Sequence, residues 1–372
     1  MAQHASQPRW SVEQAQAWRE AHGWLVGANF LPSTAGNQLE MWQAQTFDPE
    51  TIDRELGMAA AIGMNVMRVY LHDLVFEADR AGLFERMERY LSIADGHGIG
   101  TMFVLLDDCW SDEGELGPQP EPIPGVHNST WLRCPVDRGV ERALSDPAVV
   151  ERMRSYVCGV LDRFRDDRRV VAWDLYNEPI NGGRRTWRDA EGGLLRYDSR
   201  PMGERAVLAM IHHVFDFAEE VDPVQPATVC LWTNDWVKHP LNRAAAGRSD
   251  IPSFHCYADA AGMRHAIETV AEVAPGRPMI CSEYLARGQG SMFQDTLPIM
   301  KEHGVAAINW GLVAGRSNTI FPWSTWDEPD DQPEPEVWHH DVFRVDGSAY
   351  DAVELEVIRS LTGVGAGSGD KS

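Results

Sequence analysis

Eight short apolar runs, in alternation with stretches of helical periodicity, constrain the fold of this chain more than any other feature. The runs occupy residues 24–31, 65–72, 101–108, 170–177, 227–234, 251–257, 278–285 and 305–312. They are nearly continuously apolar, which is typical of parallel strands that are covered on both faces. Apolar residues at helical spacing fall in residues 51–63, 146–166, 202–221, 262–274 and 292–303. This alternation favours either a closed α/β barrel or an open doubly wound sheet.

The turn after the first run decides between these two architectures. A doubly wound dinucleotide-binding sheet carries the pattern G-x-G-x-x-G there, whereas residues 27–30 read Gly-Ala-Asn-Phe. We therefore predict a single-domain (β/α)8 TIM barrel over residues 24–361, preceded by a helical extension at 1–23. Residues 362–372 are rich in Gly and Ser and are predicted to be a disordered tail.

Three long connections all follow predicted strands, at residues 109–144, 180–200 and 314–340. In a barrel, the loops after the strands lie at the C-terminal face, where active sites are built. The connections to the other face are short. This asymmetry predicts a ligand pocket roofed by long loops.

Composition narrows the class of ligand. The formal net charge is −23, and such a field repels nucleic acids and anionic membranes, so neither is expected as a partner. A small ligand that is neutral or cationic fits this charge better. The six cysteines form no C-x-x-C pair and are expected to be reduced thiols, with zinc or disulfides as the alternatives. No secretory signal is recognisable, so we expect a cytoplasmic location, unless a signal has been removed.

Two of the predicted strands end in a glutamate. Glu178 follows the fourth strand and precedes a proline, and Glu283 ends the seventh strand. At a barrel rim, two such carboxylates can face each other across one sugar ring. Cleavage of a glycosidic bond needs this pair, because one group protonates the leaving oxygen while the other attacks or activates water. The acid needs a raised pKa, which burial and a neighbouring negative charge provide.

Five short segments resemble clan A of the glycoside hydrolases, and family five in particular. The segment Trp-Asp-Leu-Tyr-Asn-Glu-Pro at 173–179 resembles the strand of the acid/base in that family. Phe-His-Cys-Tyr at 254–257, Cys-Ser-Glu-Tyr at 281–284, Asn-Trp-Gly at 309–311 and Met-Arg-Val-Tyr at 67–70 resemble further elements. The match runs in order from about residue 24 to residue 359. Five elements in register are more specific than a lone Asn-Glu-Pro.

The resemblance implies a role for each matching residue. Glu178 would be the general acid/base and Glu283 the nucleophile of a retaining hydrolase. The supporting residues would orient the substrate or the two carboxylates. Asn177 would hydrogen-bond the sugar 2-hydroxyl, and Trp310 would lie beneath the sugar. Tyr257 and Arg68 would hold Glu283, and His255 would position the acid/base or its neighbours. Ordinary structural roles in the barrel remain the alternative for each of these supporting residues.

One segment departs from the family pattern. Many members have a histidine after the third strand, whereas residues 107–110 read Asp-Asp-Cys-Trp. Asp108 and Trp110 therefore stand where an imidazole would bind the sugar, which resembles mannan-active or exo-acting members more than cellulases. Among the 14 tryptophans, we also expect Trp42, Trp323 and Trp326 to line sugar subsites.

No cofactor and no metal are expected. The two adjacent histidine pairs, at 212–213 and 339–340, lack a carboxylate at the spacing of a metal site, and no H-E-x-x-H pattern exists. Three arginines of the second long connection, Arg184, Arg185 and Arg188, are interpreted as charge balance, with a contact to an anionic or extended substrate as the alternative.

The sequence thus predicts a retaining hydrolase of β-linked oligosaccharides or small glycosides, acting from one chain end. The sugar stays open between mannose, glucose, xylose and galactose, as does the oligomeric state. A transglycosylase would use the same residues, and an endo-acting mannanase or xylanase is the alternative if the protein is secreted. A non-catalytic carbohydrate-binding barrel would be expected to lack one glutamate, and both are present.

Overall fold

A parallel sheet of eight strands forms the centre of the molecule. The computed structural model describes residues 9–181, 203–232, 238–330 and 332–364, and the backbone alone of 184–188 and 194–198. The strands are β1 (Val26–Asn29), β2 (Val66–Tyr70), β3 (Gly100–Asp107), β4 (Val170–Asn177), β5 (Arg184–Arg188), β6 (Leu194–Asp198), β7 (Ala227–Thr228), β8 (Ser253–His255), β9 (Ile280–Glu283) and β10 (Ala306–Trp310).

The order of the strands makes the sheet a barrel. It runs β7-β4-β3-β2-β1-β10-β9-β8, and every neighbouring pair is parallel. A parallel bridge between Leu231, just after β7, and Phe254 on β8 joins the two outer strands. The predicted (β/α)8 barrel is therefore confirmed. Strands β5 and β6 form a separate antiparallel hairpin within the connection after β4, where the sequence predicted only a loop.

Helices surround the barrel and cover one of its ends. They are α1 (Val12–His22), α2 (Gln38–Trp42), α3 (Pro49–Ala60), α4 (Asp73–Gly96), α5 (Gly139–Arg142), α6 (Pro147–Phe164), α7 (Glu204–Val221), α8 (Pro240–Arg248), α9 (Ala260–Val273), α10 (Phe293–Glu302) and α11 (Ala352–Thr362). The large apolar core lies between these helices and the outer face of the strands.

Local sequence signals fix where several helices begin. Helix α6 begins after Asp146, whose carboxylate accepts the Ala148 N–H, and its first residue is a proline. Asp48 caps α3 in the same way ahead of Pro49. An aspartate cap satisfies an otherwise unpaired N–H at the helix start, and a proline is tolerated at the first position because its N–H would be unpaired there. These signals explain why α3 and α6 lie close to their predicted positions.

Helix α1 closes the N-terminal end of the barrel. Ala15 is fully buried against residues that begin the strands, including Val66 and Ile280, and the indole of Trp18 donates to the Val171 carbonyl at 3.0 Å. This end of the barrel is thus filled by apolar side chains. A ligand site is therefore expected at the opposite face, where the strands end and the long loops begin.

The structure departs from the predicted elements mainly at their ends. The predicted strand 227–234 is short, with β7 ending at Thr228, and residues 233–237 lie outside the described part of the chain. Long helix α4 and short helix α8 were not predicted, because neither presents a regular apolar stripe. The predicted N-terminal extension is helical from Val12, and residues 1–8 and 365–372, which include most of the predicted tail, lie outside the described residues. In the part of the chain that the structure describes, every helix is too short or too polar to cross a membrane.

Candidate active site

Glu178 stands immediately after β4, at the end of the barrel that carries the long loops. Its backbone adopts a positive φ of 40°, which is uncommon for a residue other than glycine. The Glu178 N–H donates to the sulfur of Cys230 at 3.1 Å, and Pro179 prevents the strand from continuing. This turn directs the carboxylate away from the barrel wall. Only 9% of the residue remains exposed.

Three donors surround the carboxylate of Glu178. Its Oε1 accepts from Nδ1 of His255 at 2.8 Å, and its Oε2 accepts from the thiol of Cys109 at 3.1 Å and from the amide of Asn181. Burial raises the pKa of Glu178, while the hydrogen bonds from Cys109 and Asn181 lower it, and the net direction is upward. A buried carboxyl with a raised pKa is suited to donate a proton near neutral pH.

Glu283 ends β9 and has a different environment. Its Oε1 accepts from Nη1 of Arg68 at 2.8 Å and from the hydroxyl of Tyr70 at 2.8 Å. Its Oε2 accepts from the hydroxyl of Tyr257 at 2.6 Å. A guanidinium and two phenols thus fix the position of both oxygens. A nucleophile needs to be held in this way.

Arg68 links the two sides of the site through a fully buried guanidinium. Its Nε and Nη2 both donate to one oxygen of Asp174, at 3.0 and 2.7 Å. Nη2 also donates to Oδ1 of Asn177 at 2.6 Å, and Nη1 donates to Asn29 at 2.7 Å. Burial opposes the charge, but Tyr70, Asp174 and Glu283 outweigh burial and raise the pKa of Arg68 well above its usual value. The group stays charged and aligns β1, β2, β4 and β9.

His255, at the end of β8, brings the two glutamates together. Its Nδ1 lies 2.8 Å from Glu178 Oε1 and 3.3 Å from Glu283 Oε2. One oxygen from each glutamate and one imidazole nitrogen all lie within 4.8 Å of one another. Burial lowers the pKa of His255 to about 4, so the ring is neutral at pH 7 and carries its proton on the nitrogen that faces the carboxylates.

Two clusters in the described part of the chain have a residue composition that could ligate a metal. The first is the trio of Glu178, His255 and Glu283. Its atoms already accept or donate hydrogen bonds, and the guanidinium of Arg68 in contact with Glu283 opposes a second cation. The second is the trio of His72, Asp73 and Cys134, in which Nδ1 of His72 accepts the Leu74 N–H at 3.2 Å, as a helix cap.

Asn177 and Asp108 brace the end of β4. The Asn177 amide donates to Asp107 at 2.9 Å and accepts from Arg68, which fixes its orientation beside the two glutamates. Asp108 is fully buried and accepts from the Tyr176 hydroxyl at 2.6 Å and from the Ile180 N–H at 2.7 Å. The sequence placed the Asp108 carboxylate where an imidazole would bind sugar, but the structure directs it into the wall, where it anchors the loop after β4.

Most of the tryptophans that were predicted to line sugar subsites come from the loops at the C-terminal face of the barrel. Trp310 is half-buried and meets Tyr70 edge-on at 5.9 Å, beside Glu283. Trp323 meets Tyr257 edge-on at 4.8 Å, and Trp110 stacks on Trp326 at 5.0 Å. Trp310, Trp323 and Trp110 therefore lie at or near the mouth of the barrel. Trp326 is only 2% exposed and packs with Ile123 and Val126, so the expectation that it lines a sugar subsite was wrong.

Trp42 belongs to the core instead of a sugar subsite. It is fully buried on α2, and its indole donates to the Tyr70 carbonyl at 2.7 Å. Its ring packs against Tyr90 and Phe103. The expectation that Trp42 lines a sugar subsite was wrong, because the short helix α2, which was not predicted, directs the ring into the core.

Sequence reasoning missed several residues that contact the glutamates. Tyr70 stands two positions after Arg68 on β2, and the alternation of side chains along a strand puts both on the same face, so this signal was present. Cys109, Cys230 and Asn181 carried no recognisable signal. The side chains of Arg184, Arg185 and Arg188 lie outside the described residues.

The loops after β3 and β10 meet above β1 and β2. We call this contact, between residues 110–131 and 313–330, the loop bridge. Its backbone bonds join the Asn128 N–H to the Ser317 carbonyl at 2.8 Å and the Asp330 N–H to the Gly125 carbonyl at 3.1 Å. A Cβ at Gly125 would lie 1.8 Å from the Asp330 carbonyl oxygen, so this approach requires glycine. Since β3 and β10 flank β2 and β1 in the barrel, the bridge spans one side of the mouth.

Side chains reinforce the loop bridge at its centre and at its edge. His127 donates its backbone N–H to the Thr325 hydroxyl at 3.0 Å, and its ring nitrogen bonds the Phe321 carbonyl at 2.9 Å. Burial lowers the pKa of His127 to about 3, so the ring is neutral. At the edge, Arg316 pairs with Glu121 at 2.8 Å. These hydrogen bonds and this ion pair hold the two loops in a fixed position relative to each other.

Comparison with known proteins supports the family suggested by the motifs. No family model matches the chain. The probable mannan endo-1,4-beta-mannosidase C of Aspergillus terreus is 22% identical over 257 residues. This alignment covers 57% of the chain and 58% of the relative, so the chain spans somewhat over half the length of that curated relative.

Solved structures share the barrel over nearly the whole chain. A GH5_18 variant from Streptomyces cattleya in complex with Manβ1-4GlcNAc has a TM-score of 0.61 at 14% identity, covering 94% of this chain and 82% of that one. The exo-β-1,4-mannosidase Op5Man5 from Opitutaceae bacterium strain TAV5 has a TM-score of 0.59 at 18% identity, covering 91% and 60%. The barrel, the order of the motifs along it and the curated relative together support glycoside hydrolase family 5 of clan A, the cellulase-like family that the motifs resemble.

Proposed function

We propose that this protein is a retaining exo-β-mannosidase, with Glu178 as general acid/base and Glu283 as nucleophile. The single observation that carries the proposal is the pairing of these two carboxylates in opposite environments. Glu178 is buried with a raised pKa, and Glu283 is held by Arg68, Tyr70 and Tyr257. One group is prepared to give a proton, and the other is prepared to attack.

The separation of the carboxylates favours retention of configuration. An oxygen of Glu178 lies within 4.8 Å of an oxygen of Glu283. Retaining enzymes place the two carboxyl groups about 5–5.5 Å apart, whereas inverting enzymes leave roughly 6.5–9.5 Å for a water molecule. The proposed reaction therefore has two steps. Glu283 attacks the anomeric carbon while Glu178 protonates the leaving oxygen, and the ionised Glu178 then activates water to release the sugar.

The loop bridge supports action at a chain end. Glu178 must reach the leaving-group oxygen, so the aglycone lies on the β4 side of the mouth. The sugar that is attacked lies over Glu283 and Trp310 and points towards β1 and β2. The loop bridge stands on that side. A polysaccharide would need an open path there for its preceding sugars, so we infer that the site accepts one terminal sugar.

We choose mannose as the substrate sugar because of the names of similar proteins. The curated relative is a probable mannan endo-mannosidase, one structural neighbour is an exo-β-1,4-mannosidase, and another holds Manβ1-4GlcNAc. These names suggest a β-mannoside as substrate. The bridge favours the exo-acting rather than the endo-acting variant of this chemistry.

Hydrolysis of 4-nitrophenyl β-glycosides tests the glycone and the nucleophile. We expect the mannoside to be cleaved in preference to the glucoside, xyloside and galactoside. Glu283→Ala should abolish turnover, and azide should restore it with the inverted mannosyl azide as product. Glu20→Ala, an exposed change on α1, is the matched control and should retain full activity. Turnover that survives the loss of both Glu178 and Glu283 would refute the assignment of the site.

The products from β-1,4-mannohexaose test the exo mode. Release of mannose together with mannopentaose is expected at early times, and the viscosity of a mannan solution should stay nearly constant. Early formation of mannobiose and mannotriose, or a rapid fall in viscosity, would contradict an exo mode.

A further inference from the structure

A small cavity lies between the loop bridge and the proposed catalytic centre. Its walls include Tyr70 and Trp310, and its rim is formed by Asn128, Ser317 and Thr319 of the bridge. Tyr70 connects the cavity to the nucleophile, because its hydroxyl donates to Glu283 at 2.8 Å. The space inside, about 20 Å³, corresponds to one water molecule or one sugar hydroxyl.

Asn128 is one of the residues that line this cavity, and its carboxamide is unused in the described part of the chain. The residue is fully buried, yet neither its Oδ1 nor its Nδ2 has a hydrogen-bond partner among the residues that the structure describes. Buried polar atoms are nearly always paired, and each unpaired one requires an explanation such as a ligand or a water molecule. One donor and one acceptor next to each other match a hydroxyl group, which can accept and donate at the same time.

The backbone holds Asn128 in place for this role. Its φ of 52° lies in the left-handed region, which asparagine tolerates better than most residues. Its N–H donates to the Ser317 carbonyl at 2.8 Å, and its carbonyl accepts the Trp131 N–H at 3.1 Å. The N–H is therefore used for the bridge and the carbonyl for a turn within residues 128–131, while the side chain remains available.

A chain of hydroxyls forms the other polar wall. The Thr319 hydroxyl donates to Asp341 at 2.6 Å, so it accepts from the Ser317 hydroxyl, which lies 3.1 Å away. Ser317 can then only accept a further hydrogen bond. The rim thus offers an acceptor at Ser317 as well as the donor and the acceptor of Asn128.

We propose that the Asn128 carboxamide binds the C4 hydroxyl of the non-reducing terminal sugar and that this contact selects a chain end as substrate. The inference rests on the proposed exo-glycosidase function. C4 is opposite C1 in a pyranose ring, so a sugar whose C1 is attacked by Glu283 directs C4 away from the acid/base, towards the loop bridge. A sugar carrying a further 4-linked residue would have no free hydroxyl at this position, and the cavity has no room for another ring.

The test compares 4-nitrophenyl β-mannoside with its 4-deoxy analogue in wild type and in Asn128→Gly. Glycine suits the left-handed backbone and removes the carboxamide. In wild type, we expect loss of the hydroxyl to lower kcat/KM by roughly 10-fold to 100-fold, since it leaves a buried amide unpaired. In the variant, the parent substrate should lose a similar factor, and the two substrates should then differ by less than about threefold.

Asn318→Gly is the matched control. Asn318 also has a left-handed backbone on the loop bridge, with φ of 57°, but its amide is used by the Ile123 carbonyl at 3.0 Å. This variant loosens the bridge and should leave the preference for the 4-hydroxyl unchanged. Asn128→Asp, which keeps the shape of the side chain, provides a second variant if the glycine protein does not fold.

The outcomes separate this inference from the proposed function. If the 4-deoxy ratio persists in Asn128→Gly, the carboxamide binds only a structural water and the inference is overturned, whatever the activity. Dissociation constants for 4-nitrophenyl 1-thio-β-mannoside and its 4-deoxy analogue, measured by titration calorimetry, need no hydrolysis. A 4-hydroxyl preference in binding that disappears in Asn128→Gly supports the inference even if wild type hydrolyses no mannoside, which would refute only the proposed function.

Discussion

Cys109 offers a direct test of how the pKa of Glu178, the proposed acid/base, is set. Its thiol lies 3.1 Å from Oε2 of Glu178. Burial raises the pKa of Glu178, and the hydrogen bond from Cys109 is the largest of the effects that lower it. The pKa of the thiol itself is raised well above its usual value by burial and by the neighbouring Asp107 and Glu178, so it stays protonated as a donor. Cys109 therefore stabilises the ionised form of the acid/base.

Replacement of Cys109 by alanine should shift the basic limb of the pH profile upward. A hydrogen bond contributes about 1 kcal/mol net, and 1.36 kcal/mol corresponds to one pH unit, so the expected shift is about 0.7 pH unit. The first step of the proposed mechanism requires protonated Glu178, so activity should fall as the pH rises through the pKa of Glu178. A raised pKa therefore extends activity to higher pH. Cys109→Ser supplies a stronger donor and should leave the limb in place or move it downward.

The assay is kcat/KM against pH with two leaving groups. 4-Nitrophenyl β-mannoside needs help from the acid, whereas a 2,4-dinitrophenyl aglycone leaves with little protonation, so the shift should be seen mainly with the former. Cys158→Ser on α6, whose thiol lies near the Phe217 carbonyl, is the matched control and should leave the profile unchanged. A basic limb that moves equally in Ala and Ser, or equally with both aglycones, would refute the tuning of Glu178 by this thiol.

Two further substitutions separate catalytic support from packing. Tyr70→Phe removes a donor to Glu283 and should lower kcat by roughly 10-fold to 100-fold with little change in the melting temperature, because the ring still packs on Trp131. An unchanged kcat would show that Arg68 and Tyr257 suffice to hold the nucleophile. Trp42→Ala should instead lower the free energy of unfolding by about 3–5 kcal/mol, measured by urea denaturation, since it empties a fully buried site. An unaltered stability together with a raised KM would return Trp42 to the subsite that the sequence suggested.

The barrel could be predicted because each strand is a short apolar run, and such a run is visible in the local sequence without knowledge of distant contacts. Val170–Asn177 is apolar except for Asp174 and Asn177 and was predicted to the residue, since both of its faces are covered. Predictions were poorest where tertiary contacts decide the structure. Strand β7 ends at Thr228, and Trp42 lies in a helix of five residues that presents no periodic pattern. Short elements carry too few positions for a period to be recognised.

The residues of the candidate site were likewise predictable from sequence where they lie on strands and unpredictable where they lie on loops. Glu178 and Glu283 were recognisable because each ends a strand, and strand ends at one face of a barrel lie close together regardless of the path of the loops. Cys109 and Asn128 were not, since each comes from a loop whose path depends on contacts with distant segments. Asn128 reaches the cavity only because its N–H bonds the Ser317 carbonyl, 189 residues later in the chain. The chemistry is thus fixed by the barrel and can be predicted from the strands. The proposed selection of the substrate depends on contacts between loops, and local sequence patterns do not reveal these contacts.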